Sequence, residues 1–176
     1  MPHYATSNPV VGKTYAEMVL ALLRDLTAKS QIEATVYLIE LGAGHGRLCY
    51  HFIKNFETYH QPAIAPPFCY VLSDFTKANL DFMKNHTRLQ PYLEKGWIDF
   101  ALFDATTDTH IQLTHSSRTI KTNTLEQPLV VIANYFFDSI PQELFRIQNG
   151  KIEQTLLSIS LNQLKKRLIP IHLFIH

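Results

Sequence analysis

The chain has 176 residues, of which 46% are hydrophobic and 18% charged, so it is long and apolar enough to bury one core. Its 16 lysine and arginine residues nearly balance 15 aspartate and glutamate residues, which argues against sequence-independent binding of nucleic acid. Two cysteines provide neither a disulfide framework nor a zinc site, and no apolar run reaches the roughly 18 residues of a membrane-spanning helix. We therefore expect a cytoplasmic protein without a metal or a membrane partner.

The first half of the chain predicts a helix, a strand, a glycine turn and a second helix. The capping box T-Y-A-E precedes apolar residues at helical spacing, which predicts an amphipathic helix over 14–28. Residues 35–39 form a continuous β-branched and aromatic run, which is typical of a strand buried on both faces. The strand ends in E-L-G-A-G-H-G at 40–46, and apolar residues then recur every four positions to about Tyr59, which indicates a helix.

Three further buried strands follow along the chain. Apolar runs predict them at 68–72, 97–103 and 129–133, with a helix around 78–83 between the first two. The polar segment 105–127 lies between the last two strands, and alternating residues within it predict a small surface hairpin.

The C-terminal part predicts a β-hairpin. Alternating residues flank Asn149 and Gly150, the dipeptide that best tolerates the positive φ angles of a tight turn. We expect a single domain over 1–176. Its predicted parts are the helix at 14–28, a ligand-binding core at 35–141, the hairpin at 142–161 and a tail at 162–176.

Polar residues end the four buried strands at nearly regular intervals. Glu40, Asp74, Asp104 and Asn134 are separated by 34, 30 and 30 residues. One strand-helix-strand step has about this length. The spacing predicts an α/β fold with a Rossmann-like parallel sheet flanked by helices, and a ligand crevice at the carboxyl ends of its strands. All four polar side chains are expected to meet there.

The glycine turn does not fit a dinucleotide. Glycines allow a ligand to approach the backbone closely, but the dinucleotide fingerprint requires a glycine where this chain has Arg47. Glu40 would repel a pyrophosphate at the following helix N-terminus, whereas it would tolerate a cation. The turn therefore favours a positively charged ligand over a nicotinamide dinucleotide.

The motifs resemble a known family. The segment E-L-G-A-G-H-G resembles the first motif of class I S-adenosylmethionine-dependent methyltransferases, and the later strand ends stand where that fold carries its later motifs. S-adenosyl-L-methionine carries an ammonium and a sulfonium but no phosphate, which agrees with the charge argument. More narrowly, A-N-Y-F-F-D-S-I-P at 133–141 and S-N-P-V-V-G-K-T-Y-A-E resemble the MidA-type group, which includes a mitochondrial protein that methylates arginine on a complex I subunit. The resemblance implies methyl transfer to a protein side chain, with arginine favoured.

The same resemblance implies a set of cofactor-binding residues. The methionine part of the cofactor would be surrounded by Glu40, Gly42, Ala43 and Gly44. Asp74 would accept hydrogen bonds from both ribose hydroxyls, because a carboxylate is an acceptor only, and Phe75 would pack on the adenine. Asp104 would accept from the adenine amino group, beside the backbone amide of Ala105.

Methyl transfer itself requires alignment and an oxygen that holds the nucleophile. Asn134 would line the mouth through which the methyl group passes, and Asp138 and Glu143 are the candidates to hold the nucleophile. Tyr135 stands where the better-known MidA members have an acidic residue, so the choice of arginine as acceptor stays open.

A full class I sheet has seven strands, whereas the sequence predicts only four parallel strands and a hairpin. We therefore expect a C-terminally truncated form of the fold. The alternative function is a catalytically inactive module that acts by binding another protein. The sequence does not indicate an oligomeric state.

Overall fold

Five segments of the chain are described by the computed structural model, namely 5–29, 34–59, 67–123, 125–142 and 144–154. The chain divides into two compact units, Met1–Phe137 and Asp138–His176. The helices are α1 Pro9–Lys29, α2 Arg47–Tyr59, α3 Lys77–Lys84 and α4 Gln90–Glu94, and a 3₁₀ turn covers Phe137–Ser139. The strands are β1 Val36–Leu41, β2 Phe68–Asp74, β3 Ile98–Leu102, β4 Ile111–Gln112, β5 Thr119–Ile120, β6 Val130–Ile132, β7 Phe145–Gln148 and β8 Lys151–Gln154.

Four parallel strands form the central sheet of the first unit, in the order β3-β2-β1-β6. Successive strands run outward from β1 through β2 to β3, and the chain then returns to the other side of β1 with β6. This reversal of strand order is where open α/β sheets bind ligands, beyond the carboxyl ends of the strands. The predicted Rossmann-like parallel sheet flanked by helices is confirmed.

The two faces of the sheet are covered differently. One face carries a core to which all four helices contribute, including Leu23, Phe52, Met83 and Tyr92. The opposite face packs against residues of the β4-β5 hairpin, so this hairpin has a buried side although the sequence predicted it at the surface.

Asp99 fastens this hairpin to β3. Its buried carboxylate accepts backbone hydrogen bonds from His115 at 2.9 Å and Ser116 at 2.9 Å, and from its neighbour Phe100 at 2.7 Å. A buried carboxylate is tolerated when donors surround it in this way. The polar segment after β3 is therefore ordered against the sheet.

The first helix begins five residues earlier than the sequence predicted, at Pro9 instead of residue 14. The Oδ1 atom of Asn8 accepts from the backbone N–H of Val11 at 3.0 Å, which is an N-cap, and proline is favoured at the first helical position. The hydroxyl of Thr14 donates within the helix to the carbonyl of Val10 at 3.0 Å, so the predicted capping box does not form. Helix α4 was also not predicted, because its five residues are too few for a periodic pattern. No helix in the described ranges combines the length and the hydropathy of a transmembrane span.

The second unit contains the antiparallel hairpin of β7 and β8. Asn149 and Gly150 occupy its turn with φ angles of 52° and 72°, as expected for this dipeptide. The predicted C-terminal hairpin is confirmed for the described strands. Residues 155–161 of that prediction and the predicted tail at 162–176 lie outside the described residues.

Helix α1 packs closely on α2 at Gly12, and this contact generates a stability prediction. A Cβ atom at Gly12 would lie 2.6 Å from Cβ of His51 and 3.0 Å from the backbone nitrogen of Phe52. Replacing Gly12 with alanine should therefore destabilise the fold by about 1 to 3 kcal/mol in spite of the better helix propensity of alanine. Urea unfolding measures this, with the exposed Met18→Ala as control. A Gly12→Ala variant as stable as the wild type would contradict the close approach.

Candidate functional site

A buried carboxyl group lies at the carboxyl end of β1. Glu40 pairs with Leu72 of β2 on one side and with Ile132 of β6 on the other, and only 6% of it is exposed. The phenol of Tyr70 donates a hydrogen bond of 2.8 Å to its Oε2 atom. Burial raises the pKa of Glu40 to about 8, against the opposing effect of the Tyr70 hydrogen bond. The free protein therefore carries a largely neutral carboxyl here at pH 7.

The glycine turn follows directly. Gly44 has a φ angle of 58°, and apart from its chain neighbours no heavy atom of the described residues lies within 4 Å of the position that a Cβ atom would take, so its backbone is not covered by them. Gly46 serves packing instead, because a Cβ atom there would lie 2.9 Å from the Leu72 side chain. The turn thus presents bare backbone next to Glu40, as close approach of a ligand requires.

The buried side chain of Asp74 ends β2 and accepts hydrogen bonds from the glycine turn and from the start of α3. One oxygen accepts from the backbone N–H of Thr76 at 2.8 Å and from its hydroxyl at 2.7 Å. The other accepts from the Gly44 backbone N–H at 3.0 Å and from the side-chain amide of Asn79 at 3.1 Å. A carboxylate has about four acceptor positions, so protein donors occupy all of those on Asp74. Ribose binding by Asp74 stays a prediction, and it requires a ribose hydroxyl to replace one of these donors.

Asn134 lies two residues beyond β6, next to the end of β1 in the sheet. Its Oδ1 atom accepts a hydrogen bond of 3.1 Å from the phenol of Tyr15 on α1. Its Nδ2 atom is buried and has no hydrogen-bond partner among the described residues. A buried donor without a partner is uncommon and points to a bound group.

Three predicted cofactor residues lie beyond the ends of β2 and β3, namely Phe75, Asp104 and Ala105. Asp104 follows β3, the edge strand of the sheet, where its Oδ1 atom accepts from the Thr106 backbone N–H at 2.9 Å and from its hydroxyl at 2.6 Å. The Thr106 hydroxyl holds the pKa of Asp104 below its usual value. Ala105 is exposed beside it, and Phe75 exposes 66% of its surface after β2. The ends of β2, β1 and β6 are thus adjacent, whereas β2 separates Asp104 from Glu40.

The structure describes only one of the two residues that were predicted to hold the nucleophile. Asp138 is exposed and belongs to the second unit. Glu143 lies outside the described residues. Their role in holding a nucleophile stays a prediction.

Four contributors to the site were not predicted, namely Tyr15, Tyr70, Thr76 and Asn79. A signal existed for Tyr70, because a tyrosine in a continuously buried strand needs a partner for its hydroxyl and Glu40 ends the neighbouring strand. The bond from Tyr15 to Asn134 joins residues 119 positions apart, and no local pattern indicates it.

The fold and the site together define a Rossmann-like α/β protein with a buried carboxyl group and a glycine turn at the carboxyl end of its central strand β1. Residues 14–172 match the model of the family described as "putative S-adenosyl-L-methionine-dependent methyltransferase" (Methyltransf_28). The chain belongs to this family, and its cofactor is S-adenosyl-L-methionine. No curated protein and no solved structure matches the chain.

The residues fit the methionine part of this cofactor. Glu40 provides a carboxyl group for a cation, Gly44 leaves its backbone accessible, and Asn134 offers an Nδ2 donor that no described residue occupies. The adjacent Asp74 has no vacant acceptor position for the ribose. The fit is therefore closest at the amino acid end of the cofactor.

The pKa of Glu40 predicts how stability depends on pH. Between the usual pKa of 4.5 and the folded value of about 8, the unfolded chain loses this proton while the folded chain retains it. This contribution to the free energy of unfolding should fall as pH rises, by as much as about 5 kcal/mol across this range. Glu40→Gln, which can still accept from Tyr70, should remove that contribution.

Chemical unfolding between pH 5 and pH 8.5 checks this prediction, with the exposed Glu94→Gln as the matched control. An identical pH slope in the wild type and Glu40→Gln would show that Glu40 is ionised in the folded protein.

Proposed function

We propose that this methyltransferase modifies a side chain of another protein, that arginine is the favoured acceptor, and that the chain is of the MidA type. The buried Glu40 carboxyl beside the glycine turn supports the cofactor-binding part of the proposal, and the exposed aromatic side chains of Tyr135 and Phe137 support its choice of acceptor. The motif resemblance at 133–141 supports the assignment to the MidA type.

The residues of the chain have separate tasks in this proposal. S-adenosyl-L-methionine supplies, when bound, a methyl carbon activated by the adjoining sulfonium. Glu40 accepts hydrogen bonds from the cofactor ammonium and ionises as it does so, because a nearby positive charge lowers the pKa of a carboxyl group. Gly44 lets the cofactor approach the backbone. Since methyl transfer is an in-line displacement, alignment of the acceptor is the main contribution that the protein makes.

Aromatic residues beside Asn134 support a cationic acceptor. Tyr135 and Phe137 are 44% and 61% exposed. Tyr135 also has a φ angle of 53°, in the left-handed region that costs energy for a non-glycine residue and recurs at functional sites. An aromatic face attracts a guanidinium through a cation–π interaction, so Tyr135 can replace the acidic residue found in better-known MidA members.

Proton release tests cofactor binding at Glu40. At pH 6.5 the cofactor amine is already protonated, whereas Glu40 with its pKa of about 8 is largely neutral. Binding should therefore release close to one proton, and the affinity should rise with pH toward 8. Calorimetry in buffers of different ionisation enthalpy measures the proton count, and Glu40→Gln should release none. Failure of the wild type to bind millimolar cofactor would reject the proposed function.

The acceptor is tested with peptides. Incubation with cofactor labelled in the methyl group should label arginine-containing peptides, and lysine-substituted copies should stay unlabelled. Tyr135→Ala should lower kcat/KM for the peptide by about 10-fold, on the order of a desolvated cation–π contact, while the Kd for the cofactor is unchanged. Tyr135→Phe is the control and should retain activity. Equal labelling of both peptide sets would argue against arginine.

A further inference from the structure

We infer that the side-chain amide of Asn134 binds the α-carboxylate of S-adenosyl-L-methionine, and that Tyr15 is the positioning residue that turns this amide toward it. The inference rests on the proposed function, since it assigns one group of the cofactor to one atom of the chain.

The orientation of the amide comes from helix α1. The phenol of Tyr15 donates to Oδ1 of Asn134 at 3.1 Å, so the oxygen of the carboxamide is occupied. The opposite corner of the carboxamide is the Nδ2 group, which has two N–H donors. The hydrogen bond from Tyr15 therefore favours the orientation in which Asn134 directs its Nδ2 donors away from the phenol.

The Nδ2 group needs an acceptor from outside the described residues. It is buried and has no hydrogen-bond partner among them. A buried N–H group without a partner destabilises a protein, and such groups call for an explanation by a bound molecule. A guanidinium cannot provide the missing acceptor, because it has five donors and no acceptor. An arginine acceptor side chain thus does not explain this atom.

The amino acid end of the cofactor provides that acceptor. It carries an ammonium, which needs an acceptor, and a carboxylate, which needs donors. Glu40 supplies the acceptor at the end of β1, and it pairs in the sheet with Ile132, two residues before Asn134. The two strand ends therefore offer complementary groups side by side, one for each charge of the amino acid.

Tyr15 also lies close to the buried pair of Tyr70 and Glu40. Burial and the Glu40 carboxyl raise the pKa of Tyr70 well above its usual value, and the Tyr15 phenol adds a smaller increase. The Tyr15 phenol that bonds to Asn134 therefore also belongs to the electrostatic surroundings of the buried Tyr70. Helix α1 thus contributes the hydroxyl of Tyr15 to the site.

The test compares two ligands by calorimetry, S-adenosyl-L-methionine and its decarboxylated form, which lacks only the carboxylate. The quantity of interest is the ratio of their Kd values. In the wild type, the decarboxylated form should bind about 10- to 100-fold more weakly, as for loss of a hydrogen bond to a charged group.

Variants of Asn134 should abolish this discrimination. In Asn134→Ala, the ratio should fall to within about 3-fold of one. In Asn134→Asp, which has no donor, S-adenosyl-L-methionine should lose about 100-fold in affinity while the decarboxylated form is not weakened. Tighter binding of both ligands by Asn134→Asp would mean that the amide presents its oxygen, and would overturn the inference.

Tyr15→Phe tests the positioning role and keeps the test open if an Asn134 variant fails to fold. The ratio should fall about 3- to 10-fold, and Tyr15→Phe combined with Asn134→Ala should match Asn134→Ala alone, because Tyr15 acts through that residue. Tyr50→Phe on α2 loses the same hydroxyl elsewhere and should keep the wild-type ratio.

The outcomes separate the two proposals. If the wild type binds neither ligand, the proposed function fails and this inference with it. If the wild type binds S-adenosyl-L-methionine but the Asn134 and Tyr15 variants keep its ratio, the inference alone is overturned.

Discussion

One buried hydrogen bond is central to the candidate site, and it joins the phenol of Tyr70 to the carboxyl group of Glu40. A carboxylate in this position would lose its hydration, and ionising it without a partner charge would be costly. Burial raises the pKa of Glu40 to about 8, so the carboxyl is mostly neutral at pH 7, and the Tyr70 phenol donates to one of its oxygens. A cation bound next to this carboxyl would lower its pKa, so the group would ionise when the cation binds. Under the proposed function, the site accommodates the cofactor ammonium without a permanently buried anion.

Hydrogen bonds of the neighbouring polar groups connect the strand ends, the glycine turn and the start of α3. Asp74 bonds to the glycine turn through Gly44 and to the start of α3 through Thr76 and Asn79. The hydroxyl of Ser73 donates to the carbonyl of Glu40 at 2.8 Å, which ties β2 to β1 at the same level. These bonds are internal, so the geometry does not depend on a ligand. The Nδ2 group of Asn134 differs from these groups, because it has no hydrogen-bond partner among the described residues.

The sequence predicted the parts of the fold that arise from local pattern. Strands β1 and β2 are recognisable as nearly continuous apolar runs, because a strand buried on both faces does not alternate apolar and polar residues. The glycine turn and α2 were recognisable from the spacing of their residues. The start of α1 was misplaced because a plausible capping box lay inside the helix, whereas the Asn8-Pro9 pair is the actual N-terminal signal.

The candidate site was predictable only as a set of strand ends. Glu40 and Asn134 could be placed near each other because parallel strands end at one edge of the sheet. The hydrogen-bond partners could not be predicted, since they depend on side-chain packing between distant elements, as Tyr15 with Asn134 shows. The internal hydrogen bonds of Asp74 could not be predicted either. In the sequence, an aspartate at a strand end has the same appearance whether it binds a ligand or accepts from the backbone of its own chain.

The central claim is that the amino acid end of the cofactor lies between the carboxyl ends of β1 and β6. A crystal structure of the chain with bound S-adenosyl-L-methionine tests it most directly. The account predicts density for the cofactor ammonium within hydrogen-bond distance of Glu40, with the cofactor lying along the glycine turn. Density for the cofactor away from Glu40 and the turn would contradict it.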